Sequence, residues 1–289
     1  MARFIQYMTK DSLYDGPFDN QSGWPAAGMG DLIVTANNRL IVVDGGQPND
    51  AEAFVELLEA QAEGRLPEIE YWIITHPHLD HYGAIRDISK CAELKDRIRV
   101  KQFIYLFPED FCGGDGRPNA LRGANADMEQ ICRAMKASSR APRRDDVLTL
   151  DDVTLRFLYV PDDCSVLNTS NGNSNLCSFI FTVSGEQRKV MVTGDAYRRS
   201  MQITAWRYAR ALKCDALQMP HHALCDAFCH DFYKYVDPKI LFLPISSGAY
   251  RSMHSKLYDS LEGCIANLCL EAKAEKVYKA FEGTAEIDI

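Results

Sequence analysis

The sequence predicts an α/β fold, a four-layer αββα sandwich in which two mixed sheets pack together with helices outside. Three observations predict it. Groups of apolar, β-branched strands are twice followed by helix–strand alternation. Two such halves bury their apolar faces best by packing sheet against sheet. With 289 residues, 46% of them hydrophobic, the chain can fill a large core. Finally, no run of about 18 apolar residues, no short repeat and no low-complexity tract is present, which sets aside membrane-spanning and solenoid designs. Residues 1–289 are expected to form a single domain, because the candidate site residues come from both halves.

The elements follow in order. Leu32–Ala36 and Arg39–Val43 are β-branched runs separated by Asn37-Asn38, a strand–turn–strand signal. The second ends at Asp44-Gly45-Gly46. From about Asp50 the spacing of Phe54, Leu57 and Leu58 predicts a helix, with Gly64 after its end. Ile69–Thr75 reads as a buried strand, Gly83–Ile88 as a short helix and Val100–Phe107 as a further strand. Cys112–Pro118 is a loop by its glycines, a helix covers Asp127–Met135, and Arg140–Asp146 is a polar connection. A second strand group follows at Val147–Leu150, Val153–Tyr159, Leu176–Val183 and Lys189–Thr193. Helices at Ser200–Leu212, Phe228–Val236 and Ser255–Leu270 then alternate with strands at Ala216–Met219 and Ile240–Leu243.

The net charge is −8. Proteins that grip long nucleic acids usually carry a basic face, since phosphate contacts dominate that affinity. Acidity here favours a small-molecule or short, locally bound substrate, although a local basic patch can hide inside a negative total and serve a nucleic-acid strand. The ten cysteines are scattered through a chain too long to need staples, and the start Met1–Tyr7 lacks the apolar core of a signal peptide. These features predict a cytoplasmic protein with reduced thiols and no membrane partner.

The chemistry is concentrated in Thr75-His76-Pro77-His78-Leu79-Asp80-His81, directly after an apolar strand. Pro77 disfavours a regular helix through this run and pushes His76 toward an extended conformation. A loop at a strand end then directs His76 and His78 to one ion, and Asp80 and His81 to another. Imidazole nitrogen and carboxylate oxygen suit zinc, and also manganese or iron. No serine elbow, phosphate loop or dinucleotide fingerprint appears, so water is the expected nucleophile.

This pattern resembles the metallo-β-lactamase superfamily, whose hallmark is His-x-His-x-Asp-His after a strand. The match is complete at His76, His78, Asp80 and His81, with Gly83 extending it and Asp44-Gly45 as the strand-end pair upstream. The resemblance spans about residues 28–254. It implies the αββα fold, two divalent ions, a bridging role for Asp195 in Thr193-Gly194-Asp195, and a last metal-binding histidine in Pro220-His221-His222. A closer likeness is to the soluble hydrolase domain of competence-type DNA-uptake proteins and its stand-alone relatives. Asn171-Gly172-Asn173-Ser174, Gly194-Asp195, Pro220-His221-His222 and Ser247-Gly248 with His254 follow that series. Two departures stand out: Ala223 replaces a common glycine, and no histidine lies between His81 and Asp195, where the superfamily usually supplies a third histidine to the first ion. Asp162, Asp163, Cys164 or the 171–174 segment are the candidate substitutes.

The expected ligands are therefore His76, His78, Asp80, His81, Asp195 and His221, with Asp44 orienting one of them. Asp195 can also be read as a helix N-cap. His221 and His222 point apart if they extend a strand, so one ligates and the other lines the pocket; His221 is taken as the ligand. Asn173, Ser174 and His222 are the expected substrate contacts. Asp80 is expected to hold a metal-bound hydroxide in line. His254 is read either as proton donor to the leaving oxygen or as a surface histidine. Cys225 and Cys229, near His222 and His230, fit one helix face better than a zinc knuckle. The expected activity is phosphodiester hydrolysis with two divalent ions, zinc first. Hydrolysis of a lactone, β-lactam or thioester, a two-iron redox role, and a non-catalytic metal-binding module are the rivals.

Overall fold

Strands and helices divide between two sheets of seven strands each. The computed structural model describes residues 1–16, 27–108, 120–161, 174–255 and 262–289. In chain order the first part contains β1 (Arg3–Gln6), β2 (Gly30–Val34), β3 (Leu40–Asp44), α1 (Ala51–Gln61), β4 (Glu68–Ile73), α2 (Leu79–Lys90), α3 (Ala92–Lys95), β5 (Arg99–Ile104), α4 (Ala120–Met135) and β6 (Ser138–Arg140). The second contains β7 (Val147–Leu150), β8 (Val153–Tyr159), β9 (Ile180–Ser184), β10 (Lys189–Val192), α5 (Arg198–Tyr208), β11 (Ala216–Gln218), α6 (His230–Val236) and β12 (Ile240–Leu243). Then come α7 (Ser247–Met253), α8 (Glu262–Lys273), β13 (Lys276–Lys279) and β14 (Ala285–Asp288).

The sheet orders are β14-β1-β2-β3-β4-β5-β6 and β13-β12-β11-β10-β9-β8-β7. In each sheet an antiparallel part continues into a parallel part, at β3–β4 and at β10–β11. The expected αββα sandwich of two mixed sheets is thus the fold. Fully buried Phe4, Ile33, Ile41 and Ile73 of one sheet share a cluster with Phe157, Phe181, Val190 and Phe242 of the other. The rings of Phe4 and Phe242, 5.2 Å apart, join the two. Each such side chain contributes roughly 1.5–3 kcal/mol on burial. A second cluster lines the helices: α1 buries Phe54, Val55 and Leu58, and the Phe54 and Trp72 rings lie 5.8 Å apart.

Several expectations are corrected. Asp80 and His81 do not sit in a loop, since α2 begins at Leu79 with extended His78 as its N-cap. Pro77 precedes that cap, where its missing N–H costs no helix hydrogen bond. Gly83 lets this helix approach: a Cβ there would lie 2.4 Å from Pro48 Cδ. Ser174–Cys177 forms a 3₁₀ turn, and the strand expected from Leu176 starts at Ile180. β1, α3, β6, β13, β14 and α7 were not expected; β6 holds only Ser138–Arg140, an edge strand whose last residue begins the expected polar connection Arg140–Asp146. The expected loop at Cys112–Pro118 lies outside the described residues. No helix among the described residues is long and apolar enough to cross a membrane.

The expectation of reduced thiols also fails at one pair: Cys225 and Cys264, separated by 39 residues, form a disulfide. Sequence spacing does not betray it, because α8 must fold back onto the segment after His222. A crosslink over a loop of this length stabilises by about 4 kcal/mol on the chain-entropy account. Reduction should therefore lower the melting temperature of the metal-free protein, and non-reducing peptide mapping should recover a 225–264 linked pair. Recovery of both cysteines as free thiols from oxidised protein would remove this tether.

Candidate metal centre

The site forms where strands end in the parallel parts of the two sheets, the place where open α/β sheets commonly bind ligands. Asp44 closes β3, Thr75 and His76 follow β4, Asp195 follows β10, and His221 and His222 follow β11. Phe179 N–H donates to Thr75 O at 3.2 Å and His221 N–H to Gly194 O at 3.1 Å, tying the loops together. Gly194, at φ +50, has to be small: a Cβ would lie 2.8 Å from Thr75 Oγ1.

Buried carboxylate and amide groups hold the ligand side chains in place. Asp44 Oδ1 accepts from Thr75 N–H at 2.8 Å, and its Oδ2 accepts from the Thr75 hydroxyl at 2.8 Å. That same Oδ2 lies 2.8 Å from His81 Nδ1, which as donor turns Nε2 toward the cluster. His222 Nδ1 donates to Pro244 O at 2.9 Å, with the same result. Gln218 Oε1 accepts from both Thr193 N–H and Gly194 N–H at 2.9 Å, fixing the loop that carries Asp195. Asp195 N–H donates to Ser178 Oγ at 3.1 Å. Outer hydrogen bonds of this kind are what fix tautomer and ring orientation in metal sites.

Two groups of ligand atoms result: Asp80, His81, Asp195 and His222, and His76, His78 and Asp195. In the first, His81 Nε2 lies 3.3 Å from Asp195 Oδ1 and 3.8 Å from Asp80 Oδ2. His222 Nε2 lies 3.2 Å from Asp80 Oδ2 and 3.5 Å from Asp195 Oδ1. Ligands about 2.1 Å from a tetrahedral ion are about 3.4 Å apart, so this spacing fits. In the second group His76 Nε2 lies 3.5 Å from Asp195 Oδ2. Among the described residues, the buried His76 Nε2, His81 Nε2, His222 Nε2 and Asp195 Oδ1 have no hydrogen-bond partner of good geometry. Buried polar atoms without partners are rare and costly. The donor set, its spacing and these orphaned atoms all fit divalent cations.

The electrostatics agree. Burial works against a charged His81, but Asp195, Asp44 and Asp80 outweigh it and raise its pKa well above the ordinary value. His222 is likewise pushed up to about 10, burial being overcome by Asp195 and Asp80. Asp195 and Asp80 are held below the usual carboxylate range against burial, Asp195 chiefly by His222 and His81, Asp80 by His81 and His222. His76 goes the other way, lowered by burial and by His81. The carboxylates therefore demand positive charge, which protons on His81 and His222 supply until cations replace them and release those protons.

The structure assembles His76, His78, Asp80, His81 and Asp195 as expected from sequence, with two exchanges of role. His222, not His221, completes the four-atom group, because His221–Ala223 adopt left-handed backbone instead of extending β11. His254 is not a member of either ligand group. It caps α7, with Nδ1 2.8 Å from Tyr250 O and Nε2 3.8 Å from Glu271 Oε2, so in this arrangement both ring nitrogens face α7 and α8. Asp195 is no N-cap, since Tyr197 occupies that position. Ser174 is buried, its Oγ 2.5 Å from His78 Nε2. Asn173 lies outside the described residues, as do Asp162, Asp163 and Cys164. Sequence reasoning missed Gln218, Ser178 and Asp226. A glutamine ending an apolar strand was a usable signal for the first; nothing local marked the others.

Residues 32–228 match the family model described as metallo-beta-lactamase superfamily. Among solved structures, the metallo-beta-lactamase fold protein YhfI from Bacillus subtilis is 14% identical, with a TM-score of 0.53 over 99% of this chain and 100% of that one. Zn(2+)-bound PqqB from Methylobacterium extorquens is 11% identical, with a TM-score of 0.56 over 100% of both chains. Unliganded PDE1 from yeast is 11% identical, with a TM-score of 0.53 over 100% of both. At such identities the likeness is one of fold.

Proposed function

Because the chain belongs to the metallo-β-lactamase superfamily, we propose that it is a metal-dependent hydrolase, that its ions are two zincs, and that its substrate is a small or short phosphodiester. The observation that carries this reading is the division of Asp195, whose Oδ1 lies 3.3 Å from His81 Nε2 and whose Oδ2 lies 3.5 Å from His76 Nε2. One carboxylate thus serves two adjacent cation positions. Two divalent ions so placed lower the pKa of water toward neutrality and stabilise both attacking and leaving oxygens, which is the demand of phosphodiester cleavage. The nitrogen and oxygen donors suit zinc.

The chain's own groups then take defined tasks. Asp195, His81, His222 and Asp80 would hold one ion, and His76 and His78 would hold the other with Asp195. Asp80, the member of its group that reaches solvent, orients the attacking water. Ser174, released from His78 when that imidazole ligates, donates to a phosphoryl oxygen. The stretch 196–214, which begins beside Asp195, carries five basic residues and no acidic one. Arg198 and Arg199 are exposed at the start of α5. Such a basic stretch favours an anionic substrate over a neutral lactone. The competence-type hydrolases remain the subfamily we propose.

Metal-stripped protein reloaded with Zn²⁺ should cleave bis(p-nitrophenyl) phosphate, in a chelator-sensitive way, faster than a β-lactam reporter. Opening of β-lactams or lactones with phosphodiesters left intact would replace this reading with an acyl hydrolase. Failure of the protein to take up any metal would leave neither standing.

A further inference from the structure

We propose that His221 is the third histidine of the first ion, the one the sequence lacks between His81 and Asp195; the inference rests on the two-ion reading above. Four observations on named atoms lead there. The first concerns which oxygen of Asp195 each histidine approaches. His81 and His222 approach Oδ1, at 3.3 and 3.5 Å, whereas His76 and His221 approach Oδ2, at 3.5 and 3.9 Å. His221 is therefore on the side of His76, away from the four-atom group that His222 completes.

The second is the backbone. His221 (φ 46°, ψ 54°), His222 (φ 55°, ψ 27°) and Ala223 (φ 60°) are consecutive left-handed residues, none of them glycine. Each costs on the order of 1–2 kcal/mol, and such strain persists where surrounding structure enforces it. An extended chain would send neighbouring side chains to opposite faces. The left-handed turn instead lets both imidazoles reach Asp195, one at each oxygen.

The third is the support on the far ring nitrogen. His221 Nδ1 lies 2.7 Å from Asp226 Oδ1, and Asp226 Oδ2 accepts from the Tyr197 hydroxyl at 2.8 Å. This is the carboxylate–histidine arrangement that fixes a metal-binding imidazole with Nε2 toward the ion. Asp44 does the same for His81. The fourth is position: the His221 side chain is 12% exposed, at the mouth of a group in which His76 is fully buried and His78 half-buried. His221 Nε2, 3.9 Å from Asp195 Oδ2, stands beyond the about 3.4 Å spacing around a tetrahedral ion and outside the three-residue group of His76, His78 and Asp195. On this assignment the ring has to move inward when an ion binds. His76, His78, Asp195 and His221 then make four donors for the first ion, as His81, His222, Asp80 and Asp195 do for the second.

The test is Zn²⁺ titration of the metal-free protein by calorimetry, with Co²⁺ absorption reporting coordination. Wild type should bind two ions. His221→Ala should lower affinity at one site on the order of 10²-fold or more and leave the other within about threefold, whereas His222→Ala should weaken the other site. Asp226→Asn, at a half-exposed residue, should weaken the His221-dependent site by 10–100-fold, the usual effect of losing an outer partner. Circular dichroism of each variant checks folding. Two unchanged sites in His221→Ala, or a loss in that variant confined to the site that His222→Ala also weakens, would overturn the assignment while leaving the two-ion reading intact. Wild type that binds no ion would instead remove the reading itself.

Discussion

Asp195→Ala should abolish tight binding at both ion positions together. Among the described residues no other side chain offers one oxygen to each group, with Oδ1 3.3 Å from His81 and Oδ2 3.5 Å from His76. The apparent affinity of each ion should fall more than the 10–100-fold that accompanies loss of an outer partner, and hydrolysis should fall with it. Elemental analysis after dialysis against limiting Zn²⁺ reads this directly. Asp80→Ala offers the contrast, since it should weaken only the ion next to His81 and His222. Should Asp195→Ala retain one ion at wild-type affinity, the carboxylate serves a single position and the shared-bridge geometry is wrong. Circular dichroism of the metal-free variant checks that it still folds.

Asp44→Ala should destabilise the metal-free protein by about 3–5 kcal/mol, since it strips acceptors from Thr75 N–H, the Thr75 hydroxyl and His81 Nδ1 in a fully buried place. Asp44 also sits at φ 58°, a left-handed conformation that Asp and Asn adopt more readily than alanine. Asp44→Asn keeps that tolerance and one acceptor, so it should cost clearly less. Denaturant unfolding of the three proteins without metal measures the difference. The ion next to His81 should also bind 10–100-fold more weakly in both variants, because the imidazole loses its orienting partner. A cost for Asp44→Ala below about 1 kcal/mol, with metal affinity unchanged, would mean that water replaces the carboxylate and that Asp44 does not organise the site.

What could be read from the chain alone was local and chemical. The alternation of β-branched runs with helical spacing carries the sandwich, because side-chain periodicity records which face of an element is buried. His76, His78, Asp80 and His81 are legible for a different reason: so dense a set of ligand atoms has little purpose in a surface turn. Short edge strands such as β6 and β14 escaped because their stability comes from pairing with β5 and β1, which no local pattern encodes. Tertiary structure alone decided the rest. It placed His222 against Asp80 by a left-handed backbone, set Asp226 behind His221, drew His254 to Tyr250 and Glu271, and joined Cys225 to Cys264. Sequence thus determined which donors the protein owns. The direction in which each donor points was decided by contacts between residues far apart in the chain, because ring orientation follows from the hydrogen bond on the opposite nitrogen and from backbone angles held by packing.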